Sequence, residues 1–393
     1  MMKKIGFVTP WFGENISGGA ENALRELIIH FFDEGIKVEV LTTCVKDFSS
    51  NWNKNYYHSG VYNYRGITVR RFKIRKRDTL KFDQMNALLL QNKHLTREQE
   101  LIFIQEMVNS PQLYQYIRKY KDSYHCYVYI PYMFGTTYYG ILACPEKAVM
   151  IPCFHEESYL HMKIFKECFR QVKGMIFNAV PESKLANEVY DIQKVRQITP
   201  GLGMDTDLEG MAENFRQKYQ IKFPFILYAG RKDEGKNIYT LLKYFQEYRL
   251  RNHSDLKLVL IGGGKIQLNN KLQDIVIDLG YVDKQDKYDA YAASLVLCQP
   301  SKHESFSYVI MESWLCGRPV LVHEECAVTR DFVVRSQGGL YFSDYFEFEG
   351  CINYLLDHKD ISAKMGENGC YFVTNNFDWK IVMKKYIDFL KKL

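Results

Sequence analysis

The sequence predicts an α/β protein built from two Rossmann-like, doubly wound domains, and three observations carry that prediction. The chain has 393 residues, more than one ordinary hydrophobic core supports and enough for two domains. Short apolar runs recur along it, including KKIGFVTP (3–10), KVEVLTT (37–43), FILYAG (225–230) and LKLVLIGGGK (256–265), and amphipathic stretches alternate with them. Continuous apolar strands interleaved with helices indicate parallel strands covered on both faces. Glycines also sit where such strands turn, at Gly18-Gly19 and Gly262–Gly264. Ligands approach the backbone at the carboxyl ends of strands in open sheets of this kind.

Composition excludes several classes. Hydrophobic residues are 47% and charged residues 25%, the balance of an ordinary globular enzyme. The net charge of +6 is too mild to mark a nucleic-acid-binding chain. Ten cysteines are scattered with none closer than nine positions to another, which excludes CxxC-type metal or redox spacing and fits reduced thiols in the cytoplasm. The apolar run IGFV is too short for a signal peptide. Tyr124–Cys144 contains no Lys, Arg, Asp or Glu, but Pro131, Gly135, Gly140 and its tyrosines interrupt it. It reads as a strand, HCYVYIPY, followed by a helix, TTYYGILA, and not as a membrane span.

The elements follow in order. After the first strand, a helix over about Ala20 to Glu34 puts Leu24, Leu27, Ile28 and Phe31 on one face. Gly18 and Gly19 at its start would let a diphosphate approach the backbone at a helix N-terminus. A second strand leads into a long irregular segment reaching about Tyr64, then a strand GITVRRF (66–72). Arg65 to Lys81 is strongly basic; it reads either as a solvated edge or as a contact for lipid headgroups or acceptor phosphates. Residues 82–121 read as two or three helices, broken near Leu95-Thr96 and at Pro111. The strand AVMIPCF then ends at His155, followed by Glu156 and Glu157, which directs His155 toward the ligand end of the sheet. A helix near 158–172, the strand GMIFNA and a helix opening at Pro181-Glu182 complete this half.

QITPGLGMDTDLEG (197–210) reads as a linker; its Asp205-Thr206-Asp207 is a formal D-x-D, for which a metal role is disfavoured. In the second half, FILYAG is followed by RKDEGKN and a helix over about Asn237 to Tyr248. Arg231 and Lys236 in that turn are two cations able to neutralise two phosphates. The glycines after LKLVLI lack the G-x-G-x-x-G spacing of a nicotinamide site. IVIDLGYV (275–282) ends at Tyr281-Val282, a helix covers Asp286 to Ala293, and LVLCQPS (295–301) is a further buried strand. HESFSYVIMES (303–313) then runs into a helix over roughly Phe306 to Cys316, closed by Gly317 and Pro319. Glu304 and Glu312 are eight positions apart. On one helix that spacing is about 12 Å along the axis, with the anion-attracting N-terminus at Ser305–Ser307 between them. PVLVH (319–323), helices near 344–357 and 361–375, and an amphipathic helix in FDWKIVMKKYIDFLKKL (377–393) finish the chain.

ESFSYVIMES resembles the E-x7-E signature of the retaining GT-B glycosyltransferases of family 4, which usually reads like EGFGLVILEA. The other family features recur in order across nearly the whole chain: the Gly18-Gly19 loop, His155, the linker, an R-x4-K at Arg231 and Lys236, and the closing helix. The resemblance implies a GT-B fold, with two Rossmann-like domains facing each other across a cleft and the C-terminal helix crossing back. It divides the chain into an acceptor-binding domain, 1–202 completed by 377–393, and a nucleotide-sugar-binding domain, 203–376.

By the same resemblance Glu304 contacts donor-sugar hydroxyls, Glu312 the ribose, and Arg231 and Lys236 the diphosphate. His155 lies near the transferred sugar, with Glu156 where the family usually has Asp. Gly18, Gly19, Gly262, Tyr281, Val282, Ser305, Phe306 and Ser307 line the donor, and Tyr308 varies with donor choice. The implied reaction moves a hexose-type sugar, with retention, from a UDP- or GDP-sugar to a glycan or polyprenyl-diphosphate-linked acceptor in surface-polysaccharide assembly. No cofactor, metal or nucleic acid is expected. The expected location is cytoplasmic, with peripheral contact at the inner face of the membrane through Arg65–Lys81. The alternatives are a sugar-nucleotide epimerase of similar fold and a catalytically silent nucleotide-sugar-binding scaffold.

Overall fold

A computed structural model describes residues 2–14, 16 and 18–393. The chain divides into two compact units, 1–203 with 382–393, and 204–381.

The first unit is a sheet with strand order β3-β4-β2-β1-β5-β6-β7-β8. Its strands are β1 (Lys4–Val8), β2 (Val38–Thr43), β3 (Gly60–Tyr64), β4 (Ile67–Phe72), β5 (Tyr124–Tyr129), β6 (Ala148–Met150), β7 (Gly174–Ile176) and β8 (Arg196–Ile198). All neighbours pair in parallel except β3 with β4. The strands β1, β2 and β5 are buried almost throughout because helices cover both faces. The helices of this unit are α1 (Gly19–Asp33), α2 (Thr79–Leu90), α3 (Arg97–Glu106), α4 (Pro111–Tyr120), α5 (Gly135–Ala143), α6 (Lys163–Phe169) and α7 (Val180–Val189). In α1 the predicted stripe Leu24, Leu27, Ile28 and Phe31 is buried. Residues 382–393, the end of the last helix and the three residues after it, also belong here: the Tyr386 ring lies 6.2 Å from Phe31, and Leu390 O accepts from His125 Nε2 at 2.8 Å.

The second unit is a wholly parallel sheet of order β11-β10-β9-β12-β13-β14. Its strands are β9 (Phe225–Ala229), β10 (Lys257–Ile261), β11 (Val276–Gly280), β12 (Val296–Gln299), β13 (Val320–His323) and β14 (Gly339–Phe342). The helices are α8 (Ala212–Tyr219), α9 (Ile238–Arg251), α10 (Asn270–Gln273), α11 (Lys284–Ala293), α12 (Tyr308–Leu315), α13 (Ala327–Ser336), α14 (Tyr345–Asp357), α15 (Lys359–Phe377) and α16 (Trp379–Leu390), the last running on into the first unit. Trp314 of α12 is fully buried and donates its indole N–H to Gly338 O at 2.7 Å, so the largest fully buried side chain of the unit leaves no polar atom unpaired.

Several boundaries correct the sequence reading. The irregular segment before Tyr64 contains β3, joined to β4 by the two-residue turn Arg65-Gly66 with φ of 51° and 89°. Positive φ at both central residues makes the turn that matches strand twist, and glycine supplies one of them without strain. The strand that was to end at His155 stops at Met150. Pro152 has no N–H to continue a ladder, and Cys153 has a φ of 61°. α12 starts at Tyr308, two residues later than expected, with Ser307 as N-cap. Tyr124–Cys144 forms β5 and α5, and among the described residues no helix is long and apolar enough to cross a membrane.

Candidate active site

The second unit brings three of the singled-out charged residues, Arg231, Lys236 and Glu304, to the carboxyl ends of β9 and β12, which pair directly through Val296 with Ile226 and Leu297 with Leu227. After β9 the chain turns through Gly230–Asn237. Asp233 caps the short turn Glu234–Lys236 by accepting from Lys236 N at 3.0 Å, and it receives the Arg231 guanidinium at 3.3 Å. The Arg231 side chain is 61% exposed, so it is held at its base while its donors face solvent. Lys236 reaches across to Glu304 after β12, Nζ to Oε1 at 2.6 Å. Gln299 Nε2 lies 3.3 Å from the same oxygen, and Asn237 donates to Pro300 O at 3.0 Å. The R-x4-K turn and the E-x7-E loop are therefore one laced unit.

Glu312 lies on α12 and is buried. Lys287 Nζ donates to its Oε1 at 2.6 Å and Tyr291 hydroxyl to its Oε2 at 2.9 Å. Burial and the neighbouring carboxylate push the Tyr291 hydroxyl well above its ordinary pKa, so it stays a donor. A carboxylate with two oxygens keeps acceptor capacity beyond these two bonds. Lys287 and Tyr291 were not singled out in the sequence. Their four-residue spacing places both on one face of α11, but nothing local says that face meets Glu312.

The glycine loop after β10 packs against the β9 turn. Gly262 has a φ of 112°, and a Cβ there would lie 2.2 Å from Gly230 O, so only glycine fits. Lys232 N donates to Gly263 O and Gly262 N to Gly280 O, each at 2.7 Å. Lys232, also absent from the sequence reading, buries its ammonium against Asp278 at 2.6 Å. Tyr281 is 76% exposed at the end of β11, beside Val282. Phe306 is instead a packing residue, its buried ring 5.5 Å from Phe332 and 5.3 Å from Phe377. Ser305 and the buried Ser307 precede the first turn of α12. In the D-x-D stretch, Thr206 donates to Asp378 at 2.7 Å and Lys284 faces Asp205 at 3.9 Å. Among the described residues no cluster of metal-ligating side chains occurs.

In the first unit, α1 begins at Gly19 with Gly18 as its N-cap. The Glu21 carboxylate lies over that turn, within 2.0 Å of where a Gly18 Cβ would be, and accepts from Trp11 Nε1 at 2.8 Å. His155 is a third exposed, its Nε2 3.2 Å from Glu157 Oε2, while Tyr132 hydroxyl donates to Glu157 Oε1 at 2.5 Å. Glu156 is turned the other way, onto His161 at 2.5 Å. The basic stretch is largely absorbed by the fold. Arg70 pairs with Glu39 at 2.9 Å and Arg75 with Glu106 at 2.6 Å. Arg71 donates to Phe12 O at 2.7 Å, and Arg77 stacks 4.0 Å over Phe82. Arg65, Lys73, Lys76 and Lys81 remain exposed.

Residues 211–370 match the family described as glycosyl transferases group 1. A Campylobacter jejuni N-acetylgalactosamine-N,N'-diacetylbacillosaminyl-diphospho-undecaprenol 4-alpha-N-acetylgalactosaminyltransferase is 28% identical over 165 residues, 39% of this chain and 43% of that one. A Salmonella typhimurium lipopolysaccharide 1,2-N-acetylglucosaminetransferase is 24% identical over 212 residues, 49% of this chain and 55% of that one. The matches thus span about half the length of these curated relatives. The fold is similar end to end to sucrose-phosphate synthase of Thermosynechococcus elongatus, with TM-score 0.72, 17% identity and coverage of 99% and 98%. It is also similar to Anabaena HepE in complex with UDP and glucose, with TM-score 0.69, 14% identity and full coverage of both chains. The fold is GT-B, and residues 211–370, which carry the Arg231, Lys236, Glu304 and Glu312 constellation, match the glycosyl transferases group 1 family.

Proposed function

We propose that the protein is a retaining, metal-independent glycosyltransferase of the family 4 type. It would move a hexose-type sugar from a nucleotide diphosphate sugar to a glycan or polyprenyl-diphosphate-linked acceptor in surface-polysaccharide assembly. The observation that carries this reading is the Lys236–Glu304 pair at 2.6 Å, which ties the cationic turn to the loop before α12 at adjoining strand ends. A diphosphate leaving group needs positive charge placed where negative charge develops. Arg231 supplies a forked donor that faces solvent, and Lys236 a second cation. Glu304 is assigned to donor-sugar hydroxyls and Glu312 to the ribose, with Lys287 and Tyr291 holding Glu312 in place. Gly262, Tyr281, Val282 and the backbone of Ser305–Ser307 are assigned to the nucleotide and its phosphates. On the first unit, Gly18 and Gly19 are assigned to the donor, His155 to the transferred sugar, and the unit as a whole to the acceptor. The exposed Arg65, Lys73, Lys76 and Lys81 are the groups that would meet anionic headgroups at the cytoplasmic face of the membrane.

The relatives support the substrate class: one named enzyme acts on a diphospho-undecaprenol compound, another on lipopolysaccharide, and HepE is seen with UDP-glucose. The test is a thermal-shift and hydrolysis screen of UDP- and GDP-sugars in EDTA, since a ligand of the native state raises Tm by mass action. Stabilisation and slow hydrolysis by one or two donors without a metal is the expected result. Binding that needs a divalent ion would overturn metal independence, and no binding at all would overturn the donor site.

A further inference from the structure

Glu182 is 1% exposed, and among the described residues no Lys or Arg pairs with it, the charged group acting on it being His155. It occupies the third position of α7, where a Glu side chain commonly reaches back to the N-cap N–H, and the N-cap residue here is Ala179. Glu182 does more than cap its own helix. Its Oε1 accepts from Phe154 N at 2.7 Å, 28 positions away and adjacent to His155, and its Oε2 accepts from Asn178 N at 2.6 Å. Phe154 follows β6 and Asn178 follows β7, and these strands pair in parallel. One carboxyl therefore stitches together the two loops at the ligand end of adjoining strands.

The His155 loop is held from its other side as well. Tyr132, after β5, donates its N–H to Pro152 O at 3.1 Å and its hydroxyl to Glu157, the partner of His155. Asn178 Nδ2 reaches Cys153 Sγ at 3.6 Å. His155 thus stands on a turn pinned from β5 and from β7, and the β7 pin is a buried carboxyl held by main-chain N–H groups. We infer that Glu182 is a positioning residue for His155, fixing the backbone turn that presents the imidazole to the transferred sugar; this rests on the role proposed above for His155. Burial pushes the Glu182 carboxyl up to about 8. A site this costly to occupy with an acid would be filled more simply by an apolar side chain if helix packing were its whole purpose.

Glu182→Gln is the test. Above pH 8, where the Glu182 carboxyl is ionised and both its oxygens accept, the amide of the variant offers one acceptor oxygen and one NH2, so one of the main-chain N–H groups would face a donor. With the variant folded, kcat for the fastest nucleotide sugar in the panel should fall about 10-fold or more, as small displacements of reacting groups do, while the donor KM changes little. His155→Ala should fall further, and the double variant no further than His155→Ala alone. A Glu182→Gln enzyme with wild-type kcat, or losses that multiply in the double variant, overturns the inference. Wild-type turnover by His155→Ala instead overturns the role proposed for His155. A readout independent of turnover is the His155 ring signal in a histidine-labelled NMR spectrum, identified by its loss in His155→Ala. That signal should shift in Glu182→Gln, and an unshifted signal overturns the inference. If the Gln variant does not fold, Glu182→Asp keeps the carboxylate but withdraws it by one methylene and takes the same measurements.

Discussion

Glu39 and Glu182 are both 1% exposed in the same unit, yet their surroundings drive them in opposite directions. Glu39, on β2, is met by Lys4, by Arg70 at 2.9 Å and by the Tyr124 hydroxyl at 2.8 Å. Burial pushes its carboxyl up, but Lys4, Tyr124 and Arg70 together outweigh that and hold it below its ordinary value. Glu182 is met by main-chain N–H groups of Asn178, Phe154 and Ala179 and, more weakly, by the His155 imidazole, and burial wins. Oriented dipoles can hold a carboxyl in place without neutralising it; cations neutralise it. Glu39 pairs charges across the β1, β2 and β4 strands. Glu182 sits at the carboxyl ends of β6 and β7, where open sheets of this class bind ligands. A buried acid left uncompensated at that end is a sign of function, whereas a compensated one elsewhere is architecture.

The largest effect that would break this comparison is the loss of the Glu39 network. Glu39→Ala leaves Lys4 and Arg70 facing a buried hole without an anion. Breaking a buried pair from one side should cost about 3 kcal/mol, read as a lower midpoint in urea unfolding. A loss below about 0.5 kcal/mol would place Glu39 with surface pairs of little consequence.

The pH dependence sharpens the contrast because the two signs differ. In the unfolded chain Glu182 releases its proton near 4.5, and in the folded chain near 8. Between those values the folded state holds the extra proton, so raising pH through that window removes stability, by at most about 1.4 kcal/mol per unit. Glu39 behaves oppositely: its contribution is present above 4.5 and is lost as pH falls through its lowered folded value. Urea midpoints of wild type and Glu182→Gln across pH 5–8 should therefore diverge in slope, the wild type falling more steeply. Parallel curves would show that Glu182 titrates normally.

The sequence made the second unit more legible than the first, for a physical reason. Arg231, Lys236, Glu304 and Glu312 sit in short turns and one helix whose strands are local, apolar and parallel, so placing the strands places the turns. The same pattern led to the doubly wound sheets and the Gly18-Gly19 helix start. What escaped it was long-range pairing. That Arg70 would meet Glu39, or Arg75 Glu106, is invisible in a run of basic residues, because both acids lie more than thirty positions away. Glu182 marks only the opening of a helix in the sequence, and its bond to Phe154 depends on two loops meeting. Lys287 and Tyr291 shared a helix face without indicating what lay opposite. Strand limits near His155 moved because Pro152 and Cys153 break the ladder locally while the apolar pattern continues through Phe154.

The leaving-group assignment turns on Arg231, the exposed member of the cationic turn. Arg231→Ala removes an exposed guanidinium that pairs with Asp233 at 3.3 Å, so stability should change little. If Arg231 meets the charge that develops on the diphosphate, kcat should fall on the order of 10²-fold. A folded variant with unchanged turnover would remove Arg231 from the site and leave Lys236 as its anion-binding side chain.

The smallest effect separates the two acids of the E-x7-E. Lys287→Met deletes the cation on Glu312 while leaving Tyr291 as a donor to it. If Glu312 binds the ribose, a loosened Glu312 weakens ground state and transition state alike. The donor KM should rise about 10-fold with kcat nearly unchanged, the pattern of lost uniform binding. Lys236→Met, which strips the cation from Glu304, should lower kcat instead, because Lys236 is assigned to charge that develops only as the bond breaks. A matching split in both variants would mean that the two lysine–glutamate pairs serve one role, and the division of Glu304 to sugar and Glu312 to ribose would have to be abandoned.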